Sequence, residues 1–160
     1  LQHRNAPAFA INTANGISEA GYVKIGGIEQ WVQIRGQDRT NPLLLCVHGG
    51  PGGTWIPISR LFLGWEKNFT VVLWDQRGAG RSFDTDADPR ALTIARHLAD
   101  LDRVVDHLRR TYGREKIALV GHSWGGMLGL LYARDHADKV AALVVVAPLI
   151  APAATSTPDE

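Results

Sequence analysis

The fold is decided by the stretch Val120-Gly121-His122-Ser123-Trp124-Gly125-Gly126, which joins an apolar run to a helical pattern. Residues 117–120 predict a strand, and a helix is expected to begin just after Ser123 and to end near Asp135. Side chains two residues before or after the serine would collide with the neighbouring strand and helix. Glycine at positions 121 and 125 avoids these collisions. The pattern therefore predicts a strained turn that lifts the Ser123 hydroxyl clear as a nucleophile.

The backbone after Ser123 predicts where a developing oxyanion would be held. The N–H of Trp124 can face that oxyanion, and the positive end of the helix dipole adds to its stabilisation. We expect the neighbouring His122 side chain to point away from the nucleophile and to pack. A Gly-Ser turn without chemistry is the alternative, and the strand before, the helix after and the extra Gly126 count against it.

The rest of the chain alternates apolar runs with helical spacing, which predicts an α/β fold with a mostly parallel sheet. Gly26-Gly27 separates two strand-like segments that read as an N-terminal hairpin. Runs that are apolar throughout suit strands covered on both faces. Thr93 and Gly113 are the expected caps of the longer helix. The predicted strands are 21–25, 29–34, 43–47, 70–74, 117–120 and 140–147, and the predicted helices are 93–112 and about 124–135.

Composition excludes several function classes. The chain has 160 residues and a net charge of +1, so no field is strong enough to recruit nucleic acid. The longest apolar stretch, 140–154, is too short to span a membrane and is interrupted by Pro148 and Pro152. Cys46 is the only cysteine, which excludes an internal disulfide, and its apolar surroundings predict a buried, inert thiol.

No cofactor or metal site is predicted. The segment Gly78-Ala79-Gly80-Arg81-Ser82-Phe83 has phenylalanine where a dinucleotide fingerprint needs its third glycine. The six histidines show no metal-ligand spacing, and His97 and His107 are expected at the surface or partly packed. The lack of disulfides suits the cytoplasm, whereas the start at Leu1 instead of Met leaves room for a removed export signal.

Three motifs together resemble those of prolyl iminopeptidase-type serine peptidases, from about Gly21 to about Pro148. They are His48-Gly49-Gly50-Pro51-Gly52, Asp75-Gln76-Arg77-Gly78-Ala79-Gly80-Arg81-Ser82 and the stretch around Ser123. The resemblance implies an α/β-hydrolase fold, oxyanion N–H groups from Gly50 and Trp124, and a cis Gly50-Pro51 peptide. It also implies cleavage of an N-terminal residue, often proline, from small peptides.

The resemblance leaves alternatives open. Close relatives of that family act as esterases, amidases or lactonases through the same acyl-enzyme chemistry. An aspartate nucleophile is disfavoured because position 123 is serine. Asp75 and Arg77 are interpreted as parts of a structural turn beneath the site. Trp55 and Trp65 are candidates to wall the pocket, with core packing as the equal alternative.

A serine nucleophile needs a base and an orienting acid, which should follow it in the order acid, then histidine. His136 is the only histidine after Ser123, and thirteen helical residues separate them by about 20 Å. Asp135, beside it, is the only acid between them. We therefore expect the lid, the last strands and the remaining catalytic residues to come from a C-terminal segment or a second chain. A catalytically dead fragment that serves as a binding module is the alternative.

The expected organisation follows from these points. Residues 1–20 form an N-terminal extension, residues 21–150 the N-terminal portion of the hydrolase core, and residues 151–160 a loop toward the lid. Without further strands, the run 140–147 would form an exposed apolar edge.

Overall fold

The computed structural model describes residues 10–150, so residues 1–9 of the predicted extension and the predicted loop 151–160 lie outside the described part. Six strands and two α-helices form the framework, and short 3₁₀ segments lie in the connections on either side of the fourth strand. In chain order the elements are β1 (Ile17–Ile25), β2 (Ile28–Gly36), β3 (Leu43–Val47), β4 (Thr70–Trp74), α1 (Ile94–Tyr112), β5 (Ile117–His122), α2 (Trp124–Asp135) and β6 (Val140–Val146).

The strands form one sheet in the order β1-β2-β4-β3-β5-β6. Strands β4, β3, β5 and β6 are parallel to one another, whereas β1 and β2 form an antiparallel hairpin and β2 is antiparallel to β4. This confirms the predicted α/β class with a mostly parallel sheet and an N-terminal hairpin. Gly26 and Gly27 make the hairpin turn with positive φ values of 59° and 88°, which side chains rarely adopt.

The hairpin is longer than predicted. β1 begins at Ile17 instead of residue 21, inside the predicted extension, and β2 continues to Gly36. Ile17 pairs with Gly36 at the far end of the ladder. Pairing supplied by a partner strand extends a strand beyond the residues whose own pattern indicates it.

Helices and 3₁₀ segments cover opposite faces of the sheet. Leu45 and Val47 of β3 pack with buried side chains of α1 and α2, whereas Leu44 and Cys46 face Phe62 of the 3₁₀ segment Ile56–Phe62. Every residue of β3 and β4 is buried. Burial on both faces is the physical reason for the unbroken apolar runs. Cys46 is 1% exposed, which confirms the buried thiol, and burial raises its pKa.

The two predicted helices are confirmed. The Thr93 side chain caps α1 by accepting a hydrogen bond from the Arg96 N–H at 3.2 Å, and Gly113 ends the helix in the left-handed conformation. In α2, Leu128 and Tyr132 are buried as expected, whereas Leu131 is only half-buried. None of the helices in the described range is long and apolar enough to cross a membrane.

The placement of His97 corrects a prediction. Its side chain was expected at the surface or partly packed, and it is 1% exposed. The ring meets the Trp124 indole edge-on, with 5.4 Å between centroids. The first turns of α1 pack against the start of α2, and this contact between helices buries the histidine.

β6 lies at the edge of the described sheet and leaves apolar side chains uncovered. Val144 is 55% exposed and Val146 is 45% exposed. Leu149 and Ile150, directly after the strand, are also exposed. Isolated exposed valines are ordinary, but a row of them on an edge strand, paired on one side only within the described residues, is prone to association.

Candidate active site

Ser123 lies between β5 and α2 in a backbone conformation that a non-glycine residue rarely adopts. Its φ is 52° and its ψ is −116°. Neighbouring backbone groups hold the residue in place: the Ser123 N–H donates to the Val146 carbonyl at 2.9 Å, and the Ser123 carbonyl accepts from the N–H groups of Met127 and Leu149. A strained conformation that the surroundings over-determine is typical of functional sites.

The glycines around Ser123 have the steric role that the sequence predicts. A Cβ atom on Gly121 would come within 2.3 Å of the Gly125 carbonyl oxygen, at the start of α2. A Cβ atom on Gly125 would come within 2.0 Å of the Val47 carbonyl oxygen, in β3. Both clashes involve backbone atoms, which cannot rotate away, so the turn requires glycine at both positions.

The glycine-rich loop 48–53 approaches Ser123 closely. A Cβ atom on Gly49 would lie 3.2 Å from the Ser123 Cβ. Gly50 has a φ of 133°, and the Gly50-Pro51 peptide is cis, as the resemblance implied. Trp124 is the first residue of α2, so its N–H belongs to the first-turn groups that have no partner within the helix. The structure thus brings the loop that contains Gly50 against the start of α2.

The segment after β4 supports this loop from below. The Asp75 carboxylate accepts a hydrogen bond from the Thr54 hydroxyl, and also one from the Arg81 N–H at 2.9 Å. The Ser82 hydroxyl donates to the Asp75 carbonyl at 2.6 Å. These contacts agree with the interpretation of Asp75 as part of a structural turn.

Arg77 belongs to a buried polar cluster that includes Asp100 and Gln30. Its guanidinium binds the Asp100 carboxylate through two nitrogens, at 2.8 and 3.1 Å, and donates to the Gly26 carbonyl. The Gln30 amide donates to the same carboxylate at 2.9 Å and accepts from the Trp74 indole. The pair links the hairpin turn to α1, and this position agrees with a structural role for Arg77.

Sequence reasoning missed the role of His48, the first residue of the loop 48–53, and of Gln76, which contacts it. Each is 1% exposed. The Gln76 N–H donates to His48 Nε2 at 3.1 Å, and the Gln76 amide nitrogen donates to the His48 carbonyl at 2.9 Å. The Trp124 indole donates to the Gln76 amide oxygen at 3.2 Å. No signal in the sequence could reveal these contacts, because the partners are 28 and 48 residues from Gln76.

His48 is held neutral by this arrangement. Its Nδ1 lies 2.8 Å from the Gly49 carbonyl, which can only accept, so Nδ1 carries the proton and Nε2 accepts from Gln76. Burial lowers the pKa of His48 and outweighs the opposing effects of the Gly49 carbonyl and Asp75. Both ring nitrogens are occupied, which leaves none to bind the Ser123 hydroxyl.

Neither His122, beside Ser123, nor His136, at the far end of α2, hydrogen-bonds to the Ser123 hydroxyl. His122 was expected to pack, but it is exposed at the end of β5, with its ring 6.2 Å from that of Trp55. His136 stacks on Tyr132 at the far end of α2 and lies 3.8 Å from the Asp102 carboxylate. Within residues 10–150, no side chain hydrogen-bonds to the Ser123 hydroxyl.

The two tryptophans that were candidates to wall the pocket, Trp55 and Trp65, differ in the rings that they contact. Trp55 follows the glycine-rich loop and contacts both His122 and Phe62. Trp65 also contacts Phe62, edge-on with 5.2 Å between ring centroids, and is 41% exposed. The turn 121–126, which joins β5 to α2 and carries the serine, is called the elbow. Of the two tryptophans, only Trp55 lies beside it.

The described residues form a cavity away from Ser123 and no group of metal ligands. A cavity of about 380 Å³ lies between the hairpin and the segment after β4, where Tyr22, Phe83 and Leu92 contribute to its wall. Ser123 does not line it. In residues 10–150, no three His, Cys, Asp or Glu side chains are grouped as metal ligands would be.

Comparison with known proteins places this geometry in a family. Residues 42–159 match the family model for the alpha/beta hydrolase fold. The chain is 38% identical over 117 residues to a probable aminopeptidase, YbaC, of Bacillus subtilis, covering 72% of this chain and 37% of that protein. It is 34% identical over 130 residues to a proline iminopeptidase of Saccharolobus solfataricus, covering 79% and 40%.

Solved structures give the same result. A proline iminopeptidase-related protein from Thermus thermophilus superposes with a TM-score of 0.70 and 31% identity, over 82% of this chain and 45% of that one. An epoxide hydrolase from Vigna radiata superposes with a TM-score of 0.68 and 26% identity, over 80% and 39%. The chain spans about two fifths of the length of the curated relatives that it matches. It therefore belongs to the α/β-hydrolase fold family, and its residues correspond to the N-terminal part of that fold.

Proposed function

We propose that this chain carries the nucleophile and the oxyanion site of a serine hydrolase of the prolyl iminopeptidase type. The observation that supports this proposal is the strained conformation of Ser123 at the start of α2, with the loop 48–53 packed against it. In the proposed reaction Ser123 Oγ attacks the scissile carbonyl while the N–H groups of Gly50 and Trp124 hold the oxyanion. A base takes the Ser123 hydroxyl proton and gives it to the amine as the C–N bond breaks, and it then deprotonates the water that releases the acid from the acyl-enzyme and returns a proton to Ser123.

The peptide substrate class is supported by similarity alone. The relatives named aminopeptidase and proline iminopeptidase share 38% and 34% identity with this chain. Residues corresponding to a lid, which would select the substrate, are not among those described. An esterase or lactonase would use the same nucleophile and oxyanion groups, so we keep ester hydrolysis as the second candidate.

We also propose that a base and an acid come from residues outside this chain, in a C-terminal segment or a second chain. Two observations support this. No described histidine hydrogen-bonds to the Ser123 hydroxyl. In the described part β6 is an edge strand that exposes Val144 and Val146, and edges of this kind are ordinarily paired or covered by further elements. On this proposal, residues 21–150 form the N-terminal portion of the core and residues 151–160 lead toward the lid.

The test treats the intact natural protein with a fluorophosphonate probe and maps the labelled peptide by mass spectrometry. We expect label on Ser123 and none on a Ser123→Ala variant of equal stability. Hydrolysis of proline-β-naphthylamide in preference to a short p-nitrophenyl ester would support the peptidase, and the reverse preference the esterase. A folded protein that neither labels nor turns over either substrate would contradict the hydrolase and favour a binding module.

A further inference from the structure

We propose that Gln76 is a positioning residue that sets the geometry of the oxyanion site. The inference rests on the proposed function, because it concerns how Gly50 and Trp124 are held. Gln76 lies on the segment after β4 and contacts both other motifs of the site through buried hydrogen bonds. It is therefore the one residue in the described part that hydrogen-bonds to both the glycine-rich loop and the elbow.

The three contacts of Gln76 act on the two proposed oxyanion donors from opposite sides. Toward the loop, its backbone N–H and its amide nitrogen bind the ring and the carbonyl of His48, two residues before Gly50. Toward the elbow, its amide oxygen binds the indole of Trp124, whose own backbone N–H is the second donor. One side chain thus bridges the loop that contains Gly50 and the residue whose N–H is the second donor.

Glutamine suits this position because its amide supplies one donor and one acceptor at the same end. The His48 carbonyl needs a donor and the Trp124 indole needs an acceptor, so a hydrocarbon of equal length satisfies neither. The site is buried, so water cannot replace the missing partners without repacking. The contact with His48 Nε2 comes from the backbone and remains in every side-chain variant.

Loss of this alignment should appear in kcat more than in KM. The oxyanion exists only in the transition state and its intermediate, so misplaced donors weaken transition-state binding and hardly change ground-state binding. Removal of one oxyanion donor costs roughly 10²–10³ in kcat. The substitution Gln76→Met displaces the oxyanion donors and does not remove them, so we expect its kcat to fall by about 10- to 100-fold.

Gln30 provides a matched control. It is also a buried glutamine, its amide nitrogen binds the Ile25 carbonyl and Asp100, and its amide oxygen accepts from the Trp74 indole. It makes no contact with His48 or Trp124. Gln30→Met should therefore lower stability as much as Gln76→Met, while kcat stays within about twofold of the parent.

The variant Gln76→Glu distinguishes an effect of residue 76 on donor position from an effect on the stability of the protein, because its contacts change with protonation. When protonated, its carboxyl can donate to the His48 carbonyl and accept from the Trp124 indole, as the amide does. When ionised it can only accept, and it faces the His48 carbonyl with a charge. The titratable groups around it are His48, the adjacent Asp75 and Arg77, and His97 behind Trp124. All four are present in the parent too, so the variant-to-parent ratio of kcat reports the introduced carboxyl together with its electrostatic effect on these neighbours.

The experiment measures kcat and KM of the intact parent, Gln76→Met, Gln30→Met and Gln76→Glu from about pH 8 down to about pH 5.5. The inference predicts a kcat loss confined to the position-76 variants, and a Gln76→Glu to parent ratio that rises as the pH falls. It is overturned if Gln76→Met matches Gln30→Met in kcat, or if the Gln76→Glu ratio stays low down to about pH 5.5, because burial raises the pKa of a carboxyl and keeps it protonated there. If Gln76→Met does not fold, the Gln76→Glu ratio decides alone. A parent without turnover would instead contradict the proposed hydrolase.

Discussion

A methyl group at position 125 should displace the nucleophile, because no space exists for it. The Cβ of Gly125→Ala would lie 2.0 Å from the Val47 carbonyl oxygen and 2.6 Å from the His48 carbonyl oxygen. An ordinary C···O contact is about 3.3 Å, so the start of α2 and the end of β3 must separate by about 1.3 Å. Both elements are held by the sheet and by buried hydrogen bonds, so the displacement reaches Ser123 and the loop 48–53.

Two magnitudes follow from that separation. Overpacking of this kind costs about 1–3 kcal/mol in the free energy of unfolding. A displacement of about 1 Å at reacting groups costs about 100-fold in rate. Urea unfolding gives the first quantity, and the kcat/KM of the intact protein on its best substrate gives the second.

Gly21→Ala is the matched control. Gly21 lies in β1, has no atom within 4 Å of an added Cβ and does not have a left-handed φ. Its substitution should change the free energy of unfolding by less than about 0.5 kcal/mol and leave kcat/KM unchanged. The steric reasoning is refuted if Gly125→Ala unfolds at the same urea concentration as the parent and keeps full activity.

Three further predictions concern the core. Asp100→Asn should lower the free energy of unfolding by about 3–5 kcal/mol, because it leaves the Arg77 guanidinium buried without its carboxylate. The control is Asp88→Asn, which alters an exposed ion pair and should leave the urea midpoint unchanged. Equal midpoints for the two variants would contradict the prediction. Because burial lowers the pKa of His48 from 6.5, its contribution to stability is present above pH 6.5 and is lost as the pH falls toward the lowered pKa. The slope of unfolding free energy against pH below 6.5 should therefore be shallower in His48→Asn than in the parent, and identical slopes would disprove it. The Cys46 thiol should react with a thiol reagent only as fast as the protein unfolds, measured with and without urea, and rapid labelling of the folded protein would contradict its burial.

Local patterns predicted the elements closest to the site well. The caps of α1 at Thr93 and Gly113 were predicted because capping depends on side chains within one turn. The need for glycine at 121 and 125 was predicted because a tight strand-to-helix turn leaves no room for a Cβ whatever surrounds it. The extent of β1 was underestimated, since its first residues are strand only because Gly36 and its neighbours pair with them.

Two histidines show where prediction from sequence ends. His97 was expected to be solvated or partly packed, but the contact between α1 and α2 places it against Trp124 with almost no exposure. His122 was expected to pack, and it is exposed beside Trp55. A histidine is amphipathic, so its own neighbours in sequence do not determine whether it is buried.

The sequence by itself determined the strained turn at Ser123, the parallel sheet beneath it and the absence of room for side chains beside the serine. Each depends on local sterics or on apolar runs that only a doubly covered strand can bury. The tertiary structure alone decided that Gln76 joins His48 to Trp124, and that His48 stays neutral. Those contacts depend on three loops meeting at the carboxyl edge of one sheet, and hydrogen bonds between residues far apart in the chain leave no periodicity or motif in the sequence.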